Sequence, residues 1–290
     1  MIRPITINNM SSIPLIPSLK YERNLLKNGY DWVVGLDEVG RGSLAGPVMV
    51  GAAIIGFKQV VPSACEDSSS KTSVDCLEDA EDTEDAEDAE YVKETEDNIP
   101  AGLADSKLLT ERKREALYNP LKKWCSAYAV GSCTNHDIDD WGIEYALGIA
   151  ALRAISSAQE NLITTFSNNN SDIKSSSKNT KNIKNIKMAA ILDGPYDYIS
   201  KVSNTFDAPI LPISIDVQTL VKADRQCASV AAAAVIAKVT RDHMMVDYAS
   251  LEKYALYDWD HNKGYGSKAH RQAIAEYGPS DLHRISWHLG

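Results

Sequence analysis

The chain lacks most of the signals that would place a protein outside the cell or in a membrane. Its five cysteines, Cys65, Cys76, Cys125, Cys133 and Cys227, form no Cys-x-x-Cys or Cys-x-x-Cys-His pattern. That spacing argues against a zinc site and offers no disulfide framework, so free thiols in a reducing compartment are expected. The start, MIRPITINNMSSIPLIPSLKY, has one early base, no apolar run of signal-peptide length and no Ala-x-Ala site. The most apolar stretch, GPVMVGAAIIGF, is too short to span a bilayer. A soluble cytoplasmic protein with no membrane partner is therefore expected. Nucleophile chemistry is missing as well. Asp281, His283 and Ser286 lie too close along the chain to suggest a catalytic triad.

Excess positive charge is also missing from the total, which is −10 and on its face unfavourable for binding a polyanion. The total hides an uneven distribution. From Glu66 to Asp97 there are 15 acids and 2 lysines, a contribution of −13, so the rest of the chain carries +3. A Lys-rich stretch from Ser167 to Lys187 supplies +4 of that, leaving −1 elsewhere. Charge permits nucleic acid as a partner and does not demand it.

These two stretches are of low complexity: a near-repeat of Glu-Asp-Ala triplets and a run of Ser, Asn and Lys. Neither holds enough apolar surface to offset its ordering entropy, so both are expected to be mobile surface insertions, at 62–100 and 167–187. The flanking segments continue one α/β pattern, which predicts a single domain over 1–290; a linker between two domains is the alternative. The pattern predicts a helix near Leu19 to Lys27, a strand WVVGLD running into a glycine-rich turn, and a second strand PVMVGAAIIG at hairpin distance. A helix starting at Thr110, a strand from Ala127 to Ser132 and a helix from Ile143 to Ala158 follow. Strands MAAILD and APILPISI, an Ala-rich buried helix from Cys227 to Tyr248, and a tail of short helices and loops complete it. Strands that first pair as a hairpin and then alternate with helices imply a mixed α/β sheet.

The chemical signal is a set of carboxylates at element ends: Asp37 and Glu38 after one apolar strand, Asp193 after another, and Asp224 before the Ala-rich helix. Any one of them could be a turn former or helix cap. Several such acids close in space repel unless a cation lies between them, and hard, oxygen-liganded magnesium or manganese is the usual choice. Because neighbouring strand residues point to opposite faces, Asp37 and Glu38 are expected to share a site only through a kink near Gly40 and Gly42. The loop GLDEVGRGSLAGP would let a phosphate or sugar approach bare backbone, or it is simply a turn; it has neither the Walker spacing nor the G-x-G-x-x-G pattern. ADSKLLTERKRE, with Lys107, is equally a solvated helix face and a phosphate cradle. In HNKGYGSKAH, Tyr265 sits between glycines with lysines nearby, either a stacking platform or a core ring. His283 and Arg284 either back the site residues from behind or are purely structural, and read as structural.

Together these segments resemble ribonuclease HII, the bacterial form of type 2 ribonuclease H. GLDEVGRGSLAGPV is similar to its signature segment. ADSKLLTERKRE, ILDGPYDYI, KADRQCASVAAAAVIAKVTRDHMM and NKGYGSKAHRQAIAEYGPSDLHRISW match later blocks in the same order, over roughly Tyr21 to Trp287 apart from the insertions. The resemblance implies a ribonuclease H-like fold, a central mixed five-stranded sheet flanked by helices, with a helical C-terminal extension at about 249–290. It implies a monomeric endonuclease acting on RNA–DNA hybrids and on duplex DNA containing ribonucleotides, cutting 5′ of the ribonucleotide to leave 3′-hydroxyl and 5′-phosphate ends. Two divalent ions, Mn2+ or Mg2+, are implied, with Asp37, Glu38, Asp193 and Asp224 as catalytic ligands. Gly40, Arg41 and Gly42 would read the 2′-hydroxyl, Tyr265 would stack on a nucleotide, and Lys107 would contact a phosphate. Ala234 stands where a serine is common, and Pro195-Tyr196 replaces a frequent Asn after Asp193-Gly194. Neither insertion belongs to the family pattern.

Overall fold

The computed structural model describes residues 16–56, 99–170 and 185–289. Most of each expected insertion, 57–98 and 171–184, lies outside the described residues.

Five strands form one sheet: β1 (Trp32–Val39), β2 (Val48–Ile55), β3 (Ala127–Cys133), β4 (Met188–Asp193) and β5 (Ile215–Leu220). Their spatial order is β3-β2-β1-β4-β5. The first three pair antiparallel, while β4 and β5 run parallel to β1. The mixed sheet flanked by helices is the expected architecture. Among the described residues no helix is long and apolar enough to cross a membrane.

Each sheet face is covered by helices, because β1, β2 and β4 are apolar on both sides. On one face Val34, Leu36, Ala52 and Ile54 pack against α4 (Ile143–Asn170). On the other, Val33, Ala53, Ala189 and Ile191 pack against α1 (Lys20–Lys27), α2 (Glu111–Trp124) and the Ala-rich α5 (Ala228–Ala249). Gly35 and Gly51 allow α5 to lie directly on the sheet: a Cβ at either would stand 2.3 Å from α5 backbone atoms. A third cluster joins Leu44, Ala45 and Met245 to the C-terminal part, which contains α6 (Trp259–Asn262) and α7 (Lys268–Tyr277).

Local signals set several element ends. Thr110 caps α2 by accepting from Lys113 N–H, and α3 (Asn135–Trp141) opens with a reciprocal Thr134–Asp137 capping box. Two expectations fail. APILPISI is not a strand: β5 begins only at Ile215, since Pro209 and Pro212 remove two donors that a ladder would need. The helix expected to end at Ala158 runs on to Asn170, into the first residues of the Ser/Asn/Lys stretch. There the hydroxyls of Thr164, Thr165 and Ser167 donate to the carbonyls four residues back, satisfying polar side chains in a helix that has outrun its apolar pattern.

Candidate active site

The parallel register of β1 and β4 brings the first acids together. Leu36 pairs with Leu192, so Asp37 and Asp193 are the next residues of adjacent parallel strands, at the carboxyl edge where open α/β sheets bind ligands. Asp193 is level with Leu220 of β5, and the chain leaves that strand into a 3-10 turn, Ala223–Arg225, that carries Asp224. Asp193 Oδ1 accepts from Ala223 N–H at 2.7 Å, fixing the turn against the strand end. Asp37 and Asp224 are 5% and 4% exposed, so neither is an ordinary surface turn residue.

Glu38 joins the cluster without the kink that the sequence suggested. β1 continues to Val39 with its β2 pairing intact. Its pairing with β4 stops at Leu36, however, so from Asp37 onward β1 stands free of β4 at the rim. Alternation places Asp37 on the α5 face and Glu38 on the α4 face, yet Asp193 lies close enough to raise the pKa of both.

The glycine-rich loop between β1 and β2 is held by two buried arginines. Arg284, fully buried, donates to the carbonyls of Gly40 (2.7 Å), Arg41 (2.9 Å) and Gly46. Arg241 donates to Pro47 O, Ala45 O, Lys263 O and Ser43 Oγ. Gly40 has φ +78, and a Cβ there would collide with the Arg241 guanidinium at 2.2 Å; glycine is required at that position by both backbone and packing. Gly42 has open space around it, with nothing within 4 Å of a built Cβ. Tyr265 is half-buried beside the loop. Its hydroxyl accepts from Gly40 N–H at 3.2 Å, and Lys238 and Arg241 flank its ring at 5.4 Å. Arg41 is exposed and pairs loosely with Glu38 at 3.6 Å.

The electrostatics are those of crowded carboxylates. Burial, then Glu38, Asp193 and Asp224, push the Asp37 pKa well above the usual range. Burial raises Glu38 also, partly offset by Arg41. Burial, then Asp193 and Asp105, push Asp224 up to about 6. Lys107 is exposed yet tied to the cluster: partial burial opposes its charge, but Asp37, Asp224, Asp105 and Asp193 outweigh this and raise its pKa. An all-oxygen set of mutually repelling acids fits hard divalent cations such as Mg2+ or Mn2+. The tightest trio of possible ligand atoms among the described residues lies elsewhere, at Asp258, Asp260 and His261, within 4.8 Å of one another. That trio sits at the surface, and Asp258 and Asp260 both pair with His261.

All nine residues singled out from the sequence thus fall around one edge of the sheet, with Gly42 and Arg41 on its exposed side. Two contributors were missed. Asp105, 1% exposed, accepts from Lys107 N–H and from Arg225, and its charge helps raise the Asp224 pKa. Its place in ADSK was visible, but not the partners brought to it by the fold. Arg241 lies inside an Ala-rich helical pattern, where nothing local distinguishes a buried clamp from a solvated base. Arg284 read as structural, and its bonds to the loop make that structural role a part of the site.

A family model described as Ribonuclease HII matches residues 89–289. The ribonuclease HII of Streptomyces griseus is 34% identical over 93% of this chain and 84% of that protein. Among solved structures, the ribonuclease H2 of Pyrococcus horikoshii aligns over 89% of this chain and 94% of its own, at 21% identity and a TM-score of 0.52. Bst-RNase HIII in complex with Mn2+ aligns over 90% of this chain and 68% of its own, at 16% identity and a TM-score of 0.52. The two structures share the fold; the family match and the relative's identity go further, and on them the chain belongs to the ribonuclease HII family of endoribonucleases.

Proposed function

We propose that this chain hydrolyses the RNA strand of RNA–DNA hybrids and also incises duplex DNA on the 5′ side of an embedded ribonucleotide, leaving 3′-hydroxyl and 5′-phosphate ends. The observation that carries this reading is the placement of four acids at one sheet rim, beside a glycine-rich loop whose carbonyls are bound by buried arginines. Asp37, Glu38, Asp193 and Asp224 would hold divalent cations, Mg2+ or Mn2+, with two ions in the active complex. Bound there, such cations supply Lewis acidity and charge neutralisation for phosphodiester hydrolysis. Lys107, kept cationic by the surrounding acids, faces an incoming phosphate. The open space at Gly42 lets a sugar come against the backbone, where the 2′-hydroxyl distinguishes RNA from DNA. Tyr265, with two cations beside its ring, presents an aromatic surface next to that loop. One catalytic unit is proposed over 1–290, with the C-terminal part from about 249 holding the loop and Tyr265 in place.

The test uses two end-labelled duplexes, a continuous RNA–DNA hybrid and a DNA duplex with one ribonucleotide, each with and without Mg2+ or Mn2+. Metal-dependent cleavage of both, with a 5′-phosphate on the ribonucleotide at the single site, is expected. Cleavage of the hybrid alone would remove the ribonucleotide-incision reading. Preference for a four-way DNA junction would replace the proposal with that of a resolvase-type nuclease.

A further inference from the structure

Tyr198 is buried at 7% exposure, and its hydroxyl oxygen is shielded from solvent with no hydrogen-bond partner among the described residues. A sealed, unpaired hydroxyl is costly, and its retention calls for a partner that arrives later. The residue is firmly held. Asp197 Oδ1 accepts from Ile199 N–H and Ser200 N–H at 2.9 Å, fixing the turn. Gly148 of α4 packs so closely that a Cβ there would stand 2.5 Å from the Tyr198 carbonyl oxygen. One side of the residue lines a cleft of about 410 Å3 with Trp141, Tyr145 and Lys201.

The position of the residue identifies the missing partner. Tyr198 belongs to the α4-side core together with Val34 and Leu36, and strand alternation makes Glu38 the next side chain of that row. Among the charges around the hydroxyl, Glu38 acts on it most strongly, followed by Asp37, Arg41 and Asp193. Burial and these acids push its pKa well above the usual tyrosine value, so the hydroxyl keeps its proton and meets a carboxylate as a donor. Glu38 has one loose partner, Arg41 at 3.6 Å, which is 51% exposed on the loop proposed to meet the substrate.

We propose that Tyr198 is a positioning residue for Glu38: when the substrate draws Arg41 away, the buried hydroxyl donates to the Glu38 carboxylate and holds it in the site. The proposal rests on the reading above that the glycine-rich loop engages the substrate. Arg41 and Tyr198 thus serve one carboxylate in turn, the first in the free protein and the second in the complex.

Tyr198→Phe removes the hydroxyl alone. Its melting temperature should equal or exceed the parent's, because no bond is lost in the free protein. On the hybrid, kcat should fall about tenfold, the rate equivalent of one hydrogen bond to a charged group, with KM within about twofold. An unchanged kcat, or a fall matched by a lower melting temperature, would overturn the assignment. A second arm needs no turnover. Calorimetric titration of the substrate-free protein with Mn2+ should show no effect of Tyr198→Phe in the parent, but a several-fold weakening in an Arg41→Ala background, where Glu38 has lost its ion pair. Equal affinities in both backgrounds would also overturn it. Should the parent fail to cleave hybrid at all, the functional reading falls and the calorimetric arm decides the role of Tyr198 by itself.

Discussion

At the scale of single residues, the acids were the most legible part of the candidate site. A carboxylate that ends a fully apolar strand stands out against its neighbours, and Asp37 and Asp193 do so in the runs WVVGLD and MAAILD. The clamping was not legible: Arg241 and Arg284 hold carbonyls of the glycine-rich loop 194 to 244 residues away, and no local pattern encodes such a distance. Crowding of the acids also yields a test. Asp37 is buried and repelled by Glu38, Asp193 and Asp224, so its ionised form opposes folding unless a cation is bound there, as proposed. Asp37→Asn should therefore melt at or above the parent's temperature while losing at least about a hundredfold in metal-dependent turnover. Asp193→Asn should lose activity as severely, and because it keeps an Oδ1 acceptor for Ala223 N–H, its melting temperature should also hold. Near-normal turnover in either variant would remove that residue from the metal-holding set.

Among the elements, those with strong periodicity were readable to within a residue or two, and the failures fall where periodicity is absent or prolines intervene. The APILPISI stretch is apolar enough to suggest a strand but carries prolines where a ladder needs donors, and α4 runs on past its apolar pattern through polar residues that no apolar periodicity marks. The junction of α1 and α5 could not be read at all. Glu22 of α1 is fully buried, and its Oε1 accepts from both Ser229 N–H (2.9 Å) and Ser229 Oγ (2.7 Å) at the start of α5. This caps the helix that runs beneath β1 and β2, near the negative-charge-favouring end of its dipole. Burial nevertheless pushes the Glu22 pKa up to about 7 from 4.5. The folded state thus keeps a proton that the unfolded chain loses near 4.5. The associated stability is fully present below that pH and is lost as pH rises through about 7. Its size is about 3 kcal/mol. Glu22→Gln keeps an acceptor for Ser229 and cannot ionise. Thermal melts should bring the two proteins close together at pH 5 and set the variant roughly 5 °C or more higher at pH 8. A difference that does not change with pH would show that Glu22 does not titrate in this window.

Across the whole molecule, the acidic segment is the part that the family pattern leaves unexplained, and the described residues on either side show where it attaches. β2 runs away from the carboxylate rim, since Val39 of β1 is level with Met49 and Val33 with Ile55, so the chain departs from the far edge of the sheet at Gly56, beside the Trp32 ring. It returns at Ile99, and after the buried Leu103 it reaches Asp105 and Lys107 at the candidate site. The −13 charge of Glu66 to Asp97 therefore re-enters the described structure a few residues from the lysine proposed to meet a phosphate. A polyanion approaching that rim would be opposed by the segment at separations up to the screening length, about 10 Å at 0.1 M salt. Replacing residues 66 to 97 with a short Gly/Ser linker removes few apolar side chains, so the protein should keep its melting transition. Hybrid affinity, measured with Ca2+ in place of the activating metal, should tighten several-fold at about 50 mM salt, with the gap closing as salt is raised beyond about 0.3 M. Coincident affinity curves for the two proteins across the series would deny the segment an electrostatic role at the rim. A constant gap at every salt concentration would mean that it obstructs the substrate by its bulk and not by its charge.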